Sequence, residues 1–311
     1  MRIGLIGAGA VGTIVAGTLL DTQNTDVRLI WVVRNPARRR SLDLSTITFT
    51  VQGTGASVIP RVSTTDPRLE IAERASDLRH FKLDLLITAV KATDVGAVAS
   101  SVPLGAQPTL AIQNGWFDRG DAALGVLIGG SYFENETNVV HSPAFSLTAG
   151  WTRGGFDGLD LFRDALARPY LDVVLCDDIV PRMVEKMAIN AVANPISALV
   201  DAENAALARP DVAPIVERVL TEIAAVAEAR WPKMGLTRES LRTKLDEVLA
   251  RTGLNFSSML IDVRAGRRTE IDFLNAVFAR WGDECGVPAP LNRTLVETLR
   301  AWEAGMSDAT A

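Results

Sequence analysis

Histidine and cysteine are nearly missing from this chain, with two of each in 311 residues. Imidazoles and thiols this few and scattered form no metal-ligand cluster. Cys176 and Cys285 both lie in apolar settings and are expected as buried free thiols of a reducing compartment. A basic excess is missing too. The formal net charge of −5 gives no support for nucleic-acid or anionic-membrane binding, and Arg38-Arg39-Arg40 is a local cluster. No apolar run is long enough to span a bilayer, and the chain opens on strand-like residues rather than a signal peptide, so a cytoplasmic location is expected. Repeats, low-complexity stretches and extended linkers are absent from the sequence. What is present is ordinary globular material, 48% hydrophobic and 22% charged, in a length that allows two domains with a core each.

The N-terminus carries the first motif. Arg2-Ile-Gly-Leu-Ile6 reads as a short buried strand, followed by Gly7-Ala8-Gly9-Ala10-Val11-Gly12 and a helical pattern through Leu20. A G-x-G-x-x-G is informative in this strand-to-helix context and weak outside it. Gly7 permits the tight turn, Gly9 lets a pyrophosphate approach the backbone, and Gly12 allows close helix-strand packing. The second strand, 27–33, ends at Arg34 and Asn35, where an NAD-preferring fold usually places Asp or Glu for the ribose 2′-hydroxyl. A guanidinium there suits a 2′-phosphate, which favours NADPH/NADP⁺ over a merely solvated basic turn.

Lesser strands are expected at 47–51 and 58–62, and a further buried strand at 83–90 ends at Lys91. Thr109-Leu-Ala-Ile112 runs into Gln113-Asn114-Gly115. Ligands of open α/β sheets bind beyond the carboxyl ends of strands, so Lys91 and Asn114 are candidates to face the cofactor, although either can equally be a strand-end or turn residue. Segments near 124–128, 137–141, 146–151 and 171–175 are expected to complete this sheet. From Asp177, a helix-capping candidate with Asp178, long helical patterns take over: the helix carrying Lys186, then 211–231, 238–251, 255–265, 270–284 and 290–303. The expected architecture is an α/β Rossmann-like dinucleotide-binding domain over 1–176 and an all-α substrate and catalytic domain over 177–311.

Within the first of those helices, Lys186, Asn190 and Asn194 stand at i, i+4 and i+8. At about 100° per residue they share one narrow stripe. Asn is a poor interior helix residue, and no other formal charge occurs between Lys186 and Asp201. A solvated face would carry more charges. A cation and two amides facing a partly dry cavity fit a small oxygenated substrate. Farther on, Thr269 and Asp272 resemble a capping box, and Glu270 is either a first-turn acid or part of a polar wall with Asn255, Ser257 and Ser258.

Together these residues resemble the ketopantoate reductase family over nearly the whole chain. The resemblance rests on the glycine motif, Val90-Lys91, Gln113-Asn114-Gly115, Lys186-x3-Asn190-x3-Asn194-Pro195, Asn204, Asn255-x-Ser257-Ser258-Met259 and Thr269-Glu270-Ile271-Asp272. It implies NADPH-dependent reduction of 2-dehydropantoate, with Lys186 as proton donor and Glu270 beside it. It further implies Asn190, Asn194, Asn204, Asn255 and Ser258 as substrate contacts, and Lys91, Asn114 and Glu270 around cofactor and active site. Asn204 comes from the resemblance alone, since Asp201-Ala-Glu-Asn204 reads as a polar turn. A small 2-oxo acid is then the partner, and a homodimer is compatible. Two departures leave room for a relative of ketopantoate as substrate: Ala276 stands where the family usually has Gly, and 130–137 is bulkier and more acidic than expected. The alternatives are reduction of another branched 2-oxo acid, an opine-type dehydrogenase, and a non-catalytic NADPH sensor, which would not need the Lys186 stripe or Glu270.

Overall fold

The computed structural model describes every residue except 22–25, 45, 53–56, 58, 60, 103–106, 117–121, 144, 153–157 and 310–311. The chain divides into two compact units, Met1–Gln113 with Arg119–Val180, and Asn114–Asp118 with Pro181–Ala311.

In the first unit, apolar runs become strands, buried throughout at the centre of the sheet and partly exposed toward its edges. These are β1 (Arg2–Ile6), β2 (Arg28–Val32), β4 (Leu69–Ala72), β5 (Leu85–Thr88), β6 (Thr109–Ala111), β7 (Ala123–Ile128), β10 (Phe145–Gly150) and β11 (Leu171–Cys176). They form one eight-stranded sheet in the order β11-β10-β7-β6-β5-β1-β2-β4. All pairings are parallel except the antiparallel β10–β7. Ile3, Leu5, Leu29, Trp31, Leu85 and Ile87 are shut off from solvent at its centre, as parallel strands covered on both faces require. The helices of the unit are α1 (Ala10–Leu19), α2 (Pro36–Leu44), α3 (Val95–Ser101) and α4 (Leu159–Leu166).

The remaining strands, β3 (Thr48–Val51), β8 (Ser131–Phe133) and β9 (Asn138–His141), build a separate three-stranded sheet that packs on α1. The segment expected at 137–141 therefore belongs to this small sheet and not to the large one. Of the strand expected at 58–62, positions 58 and 60 lie outside the described residues, and Val62 makes a single bridge to Ile47. Strand β4 was not apparent in the sequence.

The second unit is helical: α5 (Val180–Leu199), α6 (Ala213–Arg230), α7 (Arg238–Thr252), α8 (Ser258–Arg264), α9 (Asn275–Cys285) and α10 (Pro290–Ala309). Met183, Met187, Val192 and Ile196 form the buried face of α5 that their spacing predicted. Just before α5, Asp178 accepts the Val180 amide at 2.9 Å. Gly286 ends α9 in the left-handed conformation, at φ 68°. The helix expected over 270–284 is interrupted, with a 3₁₀ turn at Ile271–Phe273 before α9 begins. The capping box is also corrected. Thr269 gives its hydroxyl to Glu303 at 2.6 Å, while Asp272 pairs with Arg300 and Arg268. Cys176 and Cys285 form no disulfide and are half-buried, not fully buried as expected. No described helix is long and apolar enough to cross a membrane.

Candidate active site

The glycine turn is held in place by contacts that only glycine permits. Gly7 adopts φ +122°, and a Cβ there would lie 2.3 Å from the Ala89 carbonyl oxygen. A Cβ on Gly12 would meet the Gly7 carbonyl oxygen at 2.2 Å. That carbonyl is fixed from the other side by the buried Trp31 of β2, whose Nε1 donates to it at 2.8 Å. Gly9, in contrast, has open space where its Cβ would stand. It is the N-cap of α1 and gives no side-chain cap, so the first amides of the helix are left to an outside acceptor. Ala8, Ala10 and Val11 are half-buried and pack against the core. A cradle closed at Gly7 and Gly12 and open at Gly9 fits the pyrophosphate of a dinucleotide.

Beyond the end of β2 lies a cavity of about 410 Å³ lined by Arg34, Arg39, Arg74, Ser76 and Glu73 among others. Arg34 pairs with Asp94 at 2.6 Å and remains 46% exposed; Arg39 pairs with Glu73. Three guanidinium groups against one lining carboxylate make a site for a dianion. Arg38 does not take part. It lies over the Phe133 ring at 4.2 Å, reaches Thr13 Oγ1 at 3.3 Å and donates to the Glu136 carbonyl. Desolvation in this position lowers its pKa to about 10. The segment 130–137, flagged for its bulk, is thus the strand and turn that Arg38 ties to α1. Lys91 is exposed at the start of the 3₁₀ turn Ala92–Asp94, whose Asp94 holds Arg34.

The second unit gathers Lys186, Glu270 and Asn114. Asn114 Nδ2 donates to Glu270 Oε2 at 3.3 Å, and Glu270 is only 7% exposed. Lys186 is half-buried, and desolvation lowers its pKa from 10.5 to about 8, opposed by the charge of Glu270. Asn114 is placed by its neighbours. Gly115, at φ +82°, brings its backbone so near Phe273 that a Cβ would sit 2.6 Å from the Phe273 Cβ. Trp116 donates its amide to the Phe273 carbonyl at 3.1 Å and rests edge-on against Trp281, 5.1 Å between ring centres. Gln113, by contrast, holds strand ends together through Thr88.

The amides divide into smaller groups. Asn190 is half-buried one turn from Lys186, and Asn194 is buried one turn farther on. Ser197 donates to the Asn194 carbonyl at 3.1 Å and to Ser257 Oγ at 2.6 Å. Ser257 in turn accepts from the Leu260 amide, so it caps α8 while the exposed Ser258 begins that helix. Asn204 and Asn255 meet through backbone, Asn204 N to Asn255 O at 2.9 Å. Asn204 Nδ2 is used on Thr252, and its buried Oδ1 has no partner among the described residues. The geometry therefore joins Asn114 to Glu270, sets Glu270 within electrostatic reach of Lys186, and links Asn194 to Ser257 through Ser197 and Asn204 to Asn255 through backbone. Sequence reasoning missed Trp31, Arg74 and Ser76. Trp31 looks like any apolar strand residue, and Arg74 and Ser76 follow a strand that the pattern did not reveal.

A parallel sheet with a glycine cradle, joined to a helical unit holding a desolvated lysine beside a carboxylate, defines a dinucleotide-fold oxidoreductase. The comparisons refine that class. The family model described as "Ketopantoate reductase PanE/ApbA" matches residues 3–133, and that of its C-terminal part matches residues 178–303. The chain belongs to the ketopantoate reductase family. It is 26% identical over 314 residues to a 2-dehydropantoate 2-reductase of Archaeoglobus fulgidus, covering 98% of this chain and 99% of that one. The 2-dehydropantoate 2-reductase of Vibrio cholerae is 33% identical over 150 residues, a match that spans 48% of this chain and 49% of the relative. Among solved structures, a ternary complex of D-mandelate dehydrogenase with NADH and anilino(oxo)acetate has the same fold. Its TM-score is 0.81 at 20% identity, covering 99% of each chain.

Proposed function

We propose that the chain reduces 2-dehydropantoate to pantoate with NADPH, Lys186 giving the proton. The observation that carries this reading is the Lys186–Glu270–Asn114 group, a cation kept in a desolvated setting by one buried carboxylate. The glycine cradle would hold the pyrophosphate, and Arg34, Arg39 and Arg74 the 2′-phosphate. When bound, the dihydronicotinamide supplies a hydride to the C2 carbonyl. The Lys186 ammonium attracts the carbonyl oxygen, stabilises the negative charge that grows on it, and transfers its proton to give the hydroxyl. Neutral Lys186 then recovers a proton from solvent. Glu270 opposes the desolvation and favours the charged lysine needed at the start. Asn190, Asn194, Asn204, Asn255 and Ser258 supply donors and acceptors for carboxylate and hydroxyl.

A second reading, reduction of a different 2-oxo acid, is favoured by the fold shared with the D-mandelate dehydrogenase. NADPH oxidation over a panel of 2-oxo acids separates the two. Ketopantoate should exceed 2-oxoisovalerate, which lacks its hydroxyl, because a polar site loses binding when a partner is removed. Equal rates on both would select the second reading, and no oxidation with any 2-oxo acid would reject both.

A further inference from the structure

Pro195 lies inside α5, between two residues of the candidate site and the end of the helix. A proline has no N–H, so the carbonyl four residues back, that of Ala191, loses its helical partner. Ala191 is fully buried, and water is no substitute there. The missing donor comes from another helix. Asn275, the first residue of α9 and itself fully buried, gives Nδ2 to the Ala191 carbonyl at 2.7 Å. The same Nδ2 reaches Asn292 Oδ1 at 2.9 Å, and Asn292 Nδ2 donates to Glu222 at 3.0 Å. Glu222 also accepts the Leu291 and Asn292 amides at the start of α10. Asn275 Oδ1 is left buried with no hydrogen-bond partner among the described residues. An unpartnered acceptor is a standing cost, so the residue is poorly explained by stability alone.

We propose that Asn275 is a positioning residue, which replaces the hydrogen bond that Pro195 removes and so fixes the turn of α5 bearing Asn190 and Asn194. Ala191 sits between those two amides in sequence, so the direction of the helix at its carbonyl governs where both are aimed. The Asn275 bond ties that carbonyl to the first turn of α9. Asn275 acts through α5 and touches no substrate. The substrate part of this inference rests on the function proposed above.

A two-residue cycle tests it. Asn275→Ala should raise KM for the 2-oxo acid about tenfold, the usual scale for a buried hydrogen bond with its partner left unsatisfied, and leave NADPH affinity unchanged. Pro195→Ala restores an amide N–H for Ala191, so in the Asn275→Ala background it should bring KM back to the value of Pro195→Ala alone. Effects that simply multiply would overturn the proposal. Asn292→Ala leaves the Asn275–Ala191 bond in place and should change KM less than about twofold; a tenfold rise there would overturn the specific role of the Asn275–Ala191 bond. Amide exchange over 192–199, read by mass spectrometry, repeats the cycle without any turnover. It should quicken in Asn275→Ala and recover in the double variant, including where the single variant folds poorly. Intact coupling in exchange with no reductase activity would reject the proposed function alone, and absent coupling would reject the role of Asn275.

Discussion

Lys186 stands under two opposing influences of unequal size. Desolvation lowers its pKa and is the larger, while the Glu270 carboxylate raises it, and the balance falls at about 8. A proton donor must carry its proton at the start of the reaction, so activity should be level below that pH and fall as pH rises through it. Glu270→Gln removes the influence that favours the charged lysine. The alkaline limb of kcat/KM should then move to lower pH, because desolvation acts alone. The glutamine can still accept from Asn114, so the loop at Gly115 and Trp116 is expected to stay in place. An alkaline limb that does not move on this substitution would show that the limb reports some other group. His141 is buried, bonded to Ser57 and to the Ser142 carbonyl and stacked on Phe145, and desolvation lowers its pKa.

At the scale of elements, the proposed NADPH preference depends on a place where several segments end together. Arg34 follows β2, Arg39 rides on α2, and Arg74 and Ser76 follow β4. Arg34→Ala or Arg74→Ala should each lower the NADPH-to-NADH ratio of kcat/KM about tenfold, the loss of one charge-assisted contact to phosphate. If neither ratio moves, the 2′-phosphate is held elsewhere. The β2 end was legible in the sequence because a strand, a glycine motif and an arginine fall in a fixed order. The β4 contribution was not, since Leu69-Glu-Ile-Ala72 is four residues long and carries a charge. The stripe on α5 was legible because Lys186, Asn190 and Asn194 break the apolar pattern at the helical period. Register between distant strands has no such signal, so β9 was expected in the large sheet although it pairs with β3 and β8. The capping box failed for a similar reason. Thr269 has a stronger partner in Glu303, 34 residues away, which no local pattern can reveal. Nothing in the sequence singled out Asn275. Its partner is a backbone carbonyl freed by a proline 80 positions earlier, and only packing brings the two together.

For the whole molecule, the proposed labour is divided between two units. The glycine cradle and arginine-lined cavity belong to the first, and Lys186, Glu270 and Asn114 belong to the second. Cofactor affinity and proton transfer should therefore be separable by substitution. The sensor alternative differs at this point, because a protein that only binds NADPH has no use for the second group. Turnover of Lys186→Ala with NADPH and 2-dehydropantoate, measured beside its NADPH affinity, tests the account most directly. The expected result is a kcat lower by about 10²–10⁴-fold, the usual range for general acid catalysis, with cofactor affinity nearly unchanged. A folded variant that binds NADPH and turns over near the wild-type rate would contradict it, since the proton would then come from another group.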